Sequence, residues 1–241
     1  MQKKCLYIRI LASILFSGLL GSTNIFAQSI AERFYPNVCN CFDKNYTSGN
    51  LDLKLFQKCF DLKSEGNRNE FEDFLRQELD SNNTNLTYEE ELELSRKMGE
   101  QLFDDLQGPL VNNCDSYYNF LLECKKAILK NMSGGISKKE ADSLSILIKN
   151  GNWTEQTTWQ MGSYQLGVGN IQMAKANFHK SLEKNPLHLP SLFFLGVVND
   201  TEGNHDKAIQ RYNQVIEQEE ESLSFIVNMF LVVAKREAKE K

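Results

Sequence analysis

Cysteines are the residues of this 241-residue chain best placed to do chemistry. Cys39 and Cys41 flank Asn40, and a Cys-x-Cys pair can exchange with a substrate disulfide if one thiolate is stabilised. A thiol-disulfide exchange enzyme using Cys39/Cys41 is therefore one reading. The alternation of strands and helices expected of a thioredoxin-like fold is missing from the sequence pattern. The plainer chemistry is structural bridging, with Cys59, Cys114 and Cys124 as further candidates. A turn near Ser48 joins two helical stretches into an antiparallel hairpin, which brings Cys59 close to Cys39 or Cys41. Cys114 then takes whichever of the two remains. Cys114 and Cys124 lie ten residues apart on one helix or at its start, a rise of about 15 Å. That is beyond the reach of a disulfide, so Cys124 is left over, buried or linked to another chain.

Metal and other catalytic chemistry find little support. His179, His188 and His205 all lie far along the chain from the cysteines, and no Cys-x-x-Cys pair occurs. His179 and His205 read as surface histidines. There is no phosphate-cradling glycine loop, no Gly-x-Ser-x-Gly and no His-Glu-x-x-His. Glu89, Glu90, Glu91 and Glu93 suit the first turn of a helix, where they complement its dipole. No catalytic residue, cofactor or metal is expected, and the chain does not read as an enzyme.

The elements that must position the cysteines begin after residue 27. Lys3, Lys4 and Arg9 precede an apolar run from Ile10 to Leu20, and polar residues lead to Ile25-Phe26-Ala27. This has the form of a secretory signal peptide cleaved after Ala27. The run is shorter than the roughly 20 residues of a membrane span, although retention as an uncleaved anchor is the alternative. The sequence thus predicts an exported chain, periplasmic or secreted, in which disulfides can persist. Losing three basic residues makes it more acidic than its formal charge of -5. Nucleic acid and anionic membrane are not expected partners, and no later run is apolar enough to span a bilayer.

The rest has helical periodicity and no sustained strand-like alternation. Ser29 to Asn45 gives a first helix that Pro36 should kink or delay, and Leu51, Leu55, Phe56, Cys59 and Leu62 mark a second. Phe71, Phe74, Leu75 and Leu79 mark a third. Thr87 with Glu90 forms a capping box for a fourth, which Gly108-Pro109 should kink or end. Tyr117 to Leu129 gives a fifth. Ser133-Gly134-Gly135 reads as the domain boundary. Ser137 with Glu140 caps a linker helix closed by Asn150-Gly151-Asn152.

Beyond it, one pattern occurs twice at an offset of 34 residues. Gly162, Gly169, Ala174 and Phe178 recur as Gly196, Gly203, Ala208 and Tyr212. Each unit has an apolar helix, a Gly-Asn turn and a second apolar helix, and Pro186 closes the first unit. These residues, over roughly Glu155 to Glu221, resemble the tetratricopeptide repeat. Leu223 to Lys235 is similar to the extra helix that caps such arrays. Thr158, Gln165, Ser181 and Asn199 depart from the family's apolar or alanine-like preference. So few units imply that more N-terminal helices pack against them.

The expected architecture is all-α. A signal peptide (1–27) precedes an N-terminal disulfide-stapled helical bundle (28–133), a linker helix (134–153) and a short tetratricopeptide-like α-solenoid with a capping helix (154–241). The resemblance implies that first helices line a groove for an extended peptide or partner helix. Here that groove would carry Trp159, Ser163 and Leu166, then Phe193, Val197 and Asp200, then Val227 and Leu231. Its largely apolar character suits the apolar anchors of a partner. The function this implies is that of an interaction scaffold or adaptor. The alternative occupants are the chain's own residues or a second copy in a homo-oligomer.

Overall fold

The structure is a computed structural model and describes residues 24–49, 51–60, 87–133, 135–218 and 221–240. The signal segment up to Thr23 and the predicted third helix lie outside the described residues. The fold is all-α, and no strand occurs among the described residues. Ten helices are described: α1 (Asn24–Asn45), α2 (Leu53–Cys59), α3 (Tyr88–Asn113), α4 (Asp115–Ser133), α5 (Lys138–Lys149), α6 (Glu155–Gly167), α7 (Ile171–Lys184), α8 (Leu189–Thr201), α9 (His205–Ile216) and α10 (Glu221–Lys239). The chain forms two compact units that divide between Phe120 and Leu121, inside α4. The second half of α4 therefore belongs with the C-terminal helices, and the division falls ahead of the Ser133-Gly134-Gly135 break suggested by the sequence.

In the first unit, Ala31, Phe34, Val38 and Phe42 form one buried stripe of α1 at helical spacing. Phe42 meets Tyr117 edge-on at 5.0 Å and Phe120 at 5.3 Å. The turn after α1 uses Gly49 at φ 82°, and α2 then returns along α1. Cys41 bridges Cys59, and Cys39 bridges Cys114, with Cα separations of 5.5 and 5.6 Å. This resolves the hairpin's open choice, because Cys59 takes Cys41 and leaves Cys39 for Cys114. Cys114 sits at the junction of α3 and α4.

Neither proline terminates its helix. Pro36 lies well inside α1 and does not delay its start. Pro109 neither ends nor interrupts α3, which continues to Asn113. The reason is burial on both sides of it: Leu106, Leu110 and Val111 are all within 2% of full burial. Tertiary packing of this stripe outweighs the lost backbone bond. The Asn112 side chain also donates to the Gly108 carbonyl at 2.7 Å. The Thr87–Glu90 and Ser137–Glu140 capping boxes are both formed.

The second unit repeats its backbone as its sequence repeats. Helices α6 and α8 begin 34 residues apart, as do α7 and α9. Gly169 and Gly203 adopt φ 83° and 73°. Asn170 N–H donates to the Gln165 carbonyl and Gly169 N–H to that of Leu166, and Asn204 and Gly203 repeat these bonds to Asn199 and Asp200. This is the same glycine-ended helix stop in both units. Gly162 and Gly196 serve packing instead. A Cβ at Gly162 would stand 2.5 Å from Phe178 Cε1, and one at Gly196 2.7 Å from Tyr212 Cδ1. Bare backbone is what lets each aromatic ring of the second helix lie against the first.

Three of the polar departures from the family pattern are buried and satisfied. Thr158 Oγ1 donates to the Thr154 and Glu155 carbonyls. Asn199 donates to the Leu195 carbonyl. Ser181 Oγ donates to the Glu155 carbonyl at 2.9 Å, joining α7 to the start of α6. Each hydroxyl or amide thus has a partner, which removes most of the cost of burying it.

Candidate functional site

The residues assigned to the groove form one stripe on each of three helices. Trp159, Ser163 and Leu166 follow the i, i+4, i+7 spacing on α6. Phe193, Val197 and Asp200 repeat it on α8, and Val227 and Leu231 continue it on α10. Their exposure falls along the series. On α6, Trp159 and Leu166 are half-buried and Ser163 between them is buried. On α8 and α10, Phe193, Val197, Asp200, Val227 and Leu231 are all at least 94% buried. In this conformation the face is partly accessible at its α6 end and closed over α8 and α10.

Aromatic packing fills the closed part. The Phe193 ring lies 5.1 Å from Phe230, 5.3 Å from Phe194 and 6.0 Å from Tyr212. At the α6 end, Trp159 meets the His188 ring at 6.0 Å and Phe194 at 6.4 Å. Two polar atoms there are buried without a hydrogen-bond partner: Trp159 Nε1 and Ser163 Oγ. They sit one helical turn apart on the same stripe, and such orphans are uncommon in folded proteins.

Ser163 and Ser181 therefore predict opposite responses to loss of a hydroxyl. Ser163→Ala should leave stability unchanged or raise it by about 1 kcal/mol, because an unsatisfied polar atom is removed. Ser181→Ala should cost about 1 kcal/mol, because the Glu155 carbonyl loses its cross-helix donor. Urea denaturation of the two variants reads the difference.

Asp200 is the one charged residue of the stripe, and the structure shows how it is tolerated. Its side chain is only 1% exposed. Lys125 Nζ, on α4, donates to Asp200 Oδ2. The same ammonium lies 3.6 Å from Glu237 Oε2 and 5.5 Å over the Phe230 ring. His205 Nδ1 is 2.8 Å from Asp200 Oδ1, and the Tyr212 hydroxyl donates to Asp200 Oδ2 at 3.5 Å. Burial, and next the Asp200 charge, push the Tyr212 phenol far above its usual range. Burial, and then Asp200, hold Glu237 above the ordinary glutamate value, opposed by Lys125 and His205.

This cluster was only partly legible from the chain. The sequence pattern puts Asp200 in the groove and gives no sign of Lys125, Glu237 or the Tyr212 hydroxyl beside it. His205 is a correction: it opens α9 with its side chain 11% exposed and bonded to Asp200, whereas the sequence suggested a surface residue. His179 is exposed, as expected of it. A lone carboxylate within an apolar stripe was the available signal, because a buried charge demands a counter-charge. Asp200, His205 and Glu237 also cluster closely enough to suggest a metal centre. The Lys125 ammonium already provides the cation there.

The cysteines do not converge on a single reactive pair. Cys39 and Cys41 point to different partners, so the Cys-x-Cys segment staples two other parts of the first unit. Cys124 is free and buried, and burial with the Glu123 charge pushes its thiol up to about 12. At neutral pH it is a small hydrophobe and a poor nucleophile.

His188 supplies a pH dependence. Its Nδ1 is 2.9 Å from Ser191 Oγ, and burial lowers its pKa from the usual 6.5 despite the opposing Glu155 charge. The unfolded chain takes up this proton first. The stability from neutral His188 is therefore present above pH 6.5 and is lost as pH falls through the lowered folded value. Thermal melts between pH 7 and 5 should show a declining midpoint, with a shallower decline in His188→Gln.

Comparison of the chain with protein-family models, curated proteins and solved structures finds no match.

Proposed function

We propose that the C-terminal unit is a protein-interaction module of the tetratricopeptide type, acting as an adaptor outside the cytoplasm. It takes a peptide or partner helix on the face formed by α6, α8 and α10. The observation that carries this reading is the half-buried Trp159 and Leu166 stripe of α6, within which two polar atoms, Trp159 Nε1 and Ser163 Oγ, are buried without a partner. A partner's apolar anchors would cover Trp159 and Leu166, and rotation of the indole on binding would bring its buried Nε1 to a partner's carbonyl. Phe193, Val197, Val227 and Leu231 continue the same stripe and become available only when their present cover moves. The two disulfides support an oxidising compartment. No described helix is long and apolar enough to cross a membrane.

The test is capture of partners from the envelope fraction by the mature chain and by its Trp159→Ala variant. Loss of a captured protein, with helical circular dichroism and melting retained, supports the reading. Undiminished capture by a folded Trp159→Ala chain contradicts it. Recovery of the chain itself as the only captured species, with light scattering that rises with concentration, favours the homo-oligomer instead.

A further inference from the structure

At Asp200 the closed part of the face holds one chemically specific group, the Lys125 ammonium. Asp200, nearly fully buried, faces an ammonium from Lys125, and Glu237 stands 3.6 Å from the same nitrogen. The Phe230 ring lies beneath it at 5.5 Å. Two carboxylates and an aromatic face around one –NH₃⁺ form a receptor for a lysine head group. His205 holds the second carboxylate oxygen of Asp200 and the Tyr212 hydroxyl shares Oδ2 with the lysine, so the acceptor is fixed whichever lysine fills it. Lys125 does not act alone. Leu121 and Cys124 are buried and Ile128 is half-buried, and with Lys125 they follow the i, i+3, i+4, i+7 pattern of one helix face. The helix ends at Ser133, where the sequence has Gly134-Gly135.

We propose that Asp200, Glu237 and Phe230 are a lysine-recognition pocket, filled in cis by Lys125. The partner of this face is then an amphipathic helix that presents a lysine within an apolar stripe, as residues 121–128 do. The inference rests on the interaction reading above and names its partner chemistry and its regulation. Exchange is physically reasonable because an incoming lysine replaces one buried ion pair by an equivalent one. The desolvation that opposes forming such a pair is already met in the resting protein. The tethered helix competes at an effective concentration of about 1 mM, so it restrains binding until a partner of sufficient affinity arrives.

The probe is a fluorescein-labelled peptide of residues 119–133 carrying Cys124→Ser, titrated against the full mature chain and read by anisotropy. It should bind a Lys125→Met chain at least about tenfold more tightly than the unaltered chain, because the resident lysine no longer competes. A second peptide that also carries Lys125→Met should lose this gain. If the Lys125→Met chain does not fold, the unaltered chain is acylated at its amines with and without about 1 mM peptide. The peptide should then accelerate acylation of Lys125 and leave exposed Lys126 unchanged. Equal binding of both peptides, or an unchanged Lys125 rate, overturns the proposal and makes Lys125 a fixed core contact. A partner whose capture depends on Trp159 but whose binding leaves Lys125 protected refutes the pocket and spares the interaction reading.

Discussion

Replacing Cys39 and Cys114 together by serine should destabilise the N-terminal unit by about 4 kcal/mol. The bridge closes a loop of 75 residues, against 18 for Cys41–Cys59. The entropy removed from the unfolded chain grows with the logarithm of loop length, so the longer loop gives the larger effect. The first unit has little else that ties α1 to the α3–α4 junction covalently. Its core there rests on Phe42 against Tyr117 and Phe120. Loss of the bridge should therefore lower the melting of this unit, while Cys41→Ser with Cys59→Ser should produce a smaller drop. Differential scanning calorimetry checks the order. Equal losses for the two pairs would show that loop closure is not what the bridges contribute.

The second large effect belongs to the glycines of the repeat. Gly196→Val should destabilise the C-terminal unit by about 3 kcal/mol. The added Cβ would fall on the Tyr212 ring, which is completely buried and cannot swing away. Even Gly196→Ala should be destabilising, although alanine in a helix interior is ordinarily worth about 1 kcal/mol over glycine. Gly162 provides the parallel. Its would-be Cβ falls 2.5 Å from Phe178 Cε1, so Gly162→Ala should lose stability as Gly196→Ala does. Urea midpoints of both alanine variants should fall. Tyr212→Leu placed on Gly196→Ala should recover part of the loss by removing the ring.

These glycines also show what the sequence could reveal. Gly162 with Phe178 and Gly196 with Tyr212 are close in sequence, and both pairs recur at one offset, so local spacing was enough to read the repeat they belong to. The hairpin of α1 and α2 was legible for the same reason, since the Ser48–Gly49 turn brings Cys59 back to Cys39 or Cys41, and the structure selects Cys41. What lay beyond the sequence was long-range. Nothing local distinguishes Lys125 from Lys126, yet one is bonded to Asp200 and the other is exposed. Their difference is set by which face of α4 turns toward α8 and α10. Likewise, Pro109 carries a strong local signal to stop a helix, and the buried stripe through Leu106 and Leu110 overrules it. The grouping of Leu121 onward with the repeats was invisible for a related reason. A continuous helix carries no turn signal at the point where its contacts change allegiance.

The disulfides bear on the alternative of a thiol-disulfide exchange enzyme in a concrete way. An exchanging Cys39-Asn40-Cys41 segment would need one sulfur to be released and attacked, and each is committed to a different structural partner. The interaction reading instead places the active surface in the other unit, on α6, α8 and α10.

The proposed partner is received on the α6, α8 and α10 face through Trp159. The chain has only two tryptophans, so indole N–H resonances report on it directly. Trp153 lies under the ammonium groups of Lys180 and Lys184, with its ring 4.5 and 4.6 Å from them. In a ¹⁵N-labelled chain titrated with a captured partner, the Trp159 indole N–H should shift as its orphaned donor gains an acceptor, and Trp153 should stay in place. A saturated complex in which the Trp159 resonance does not move would contradict the account.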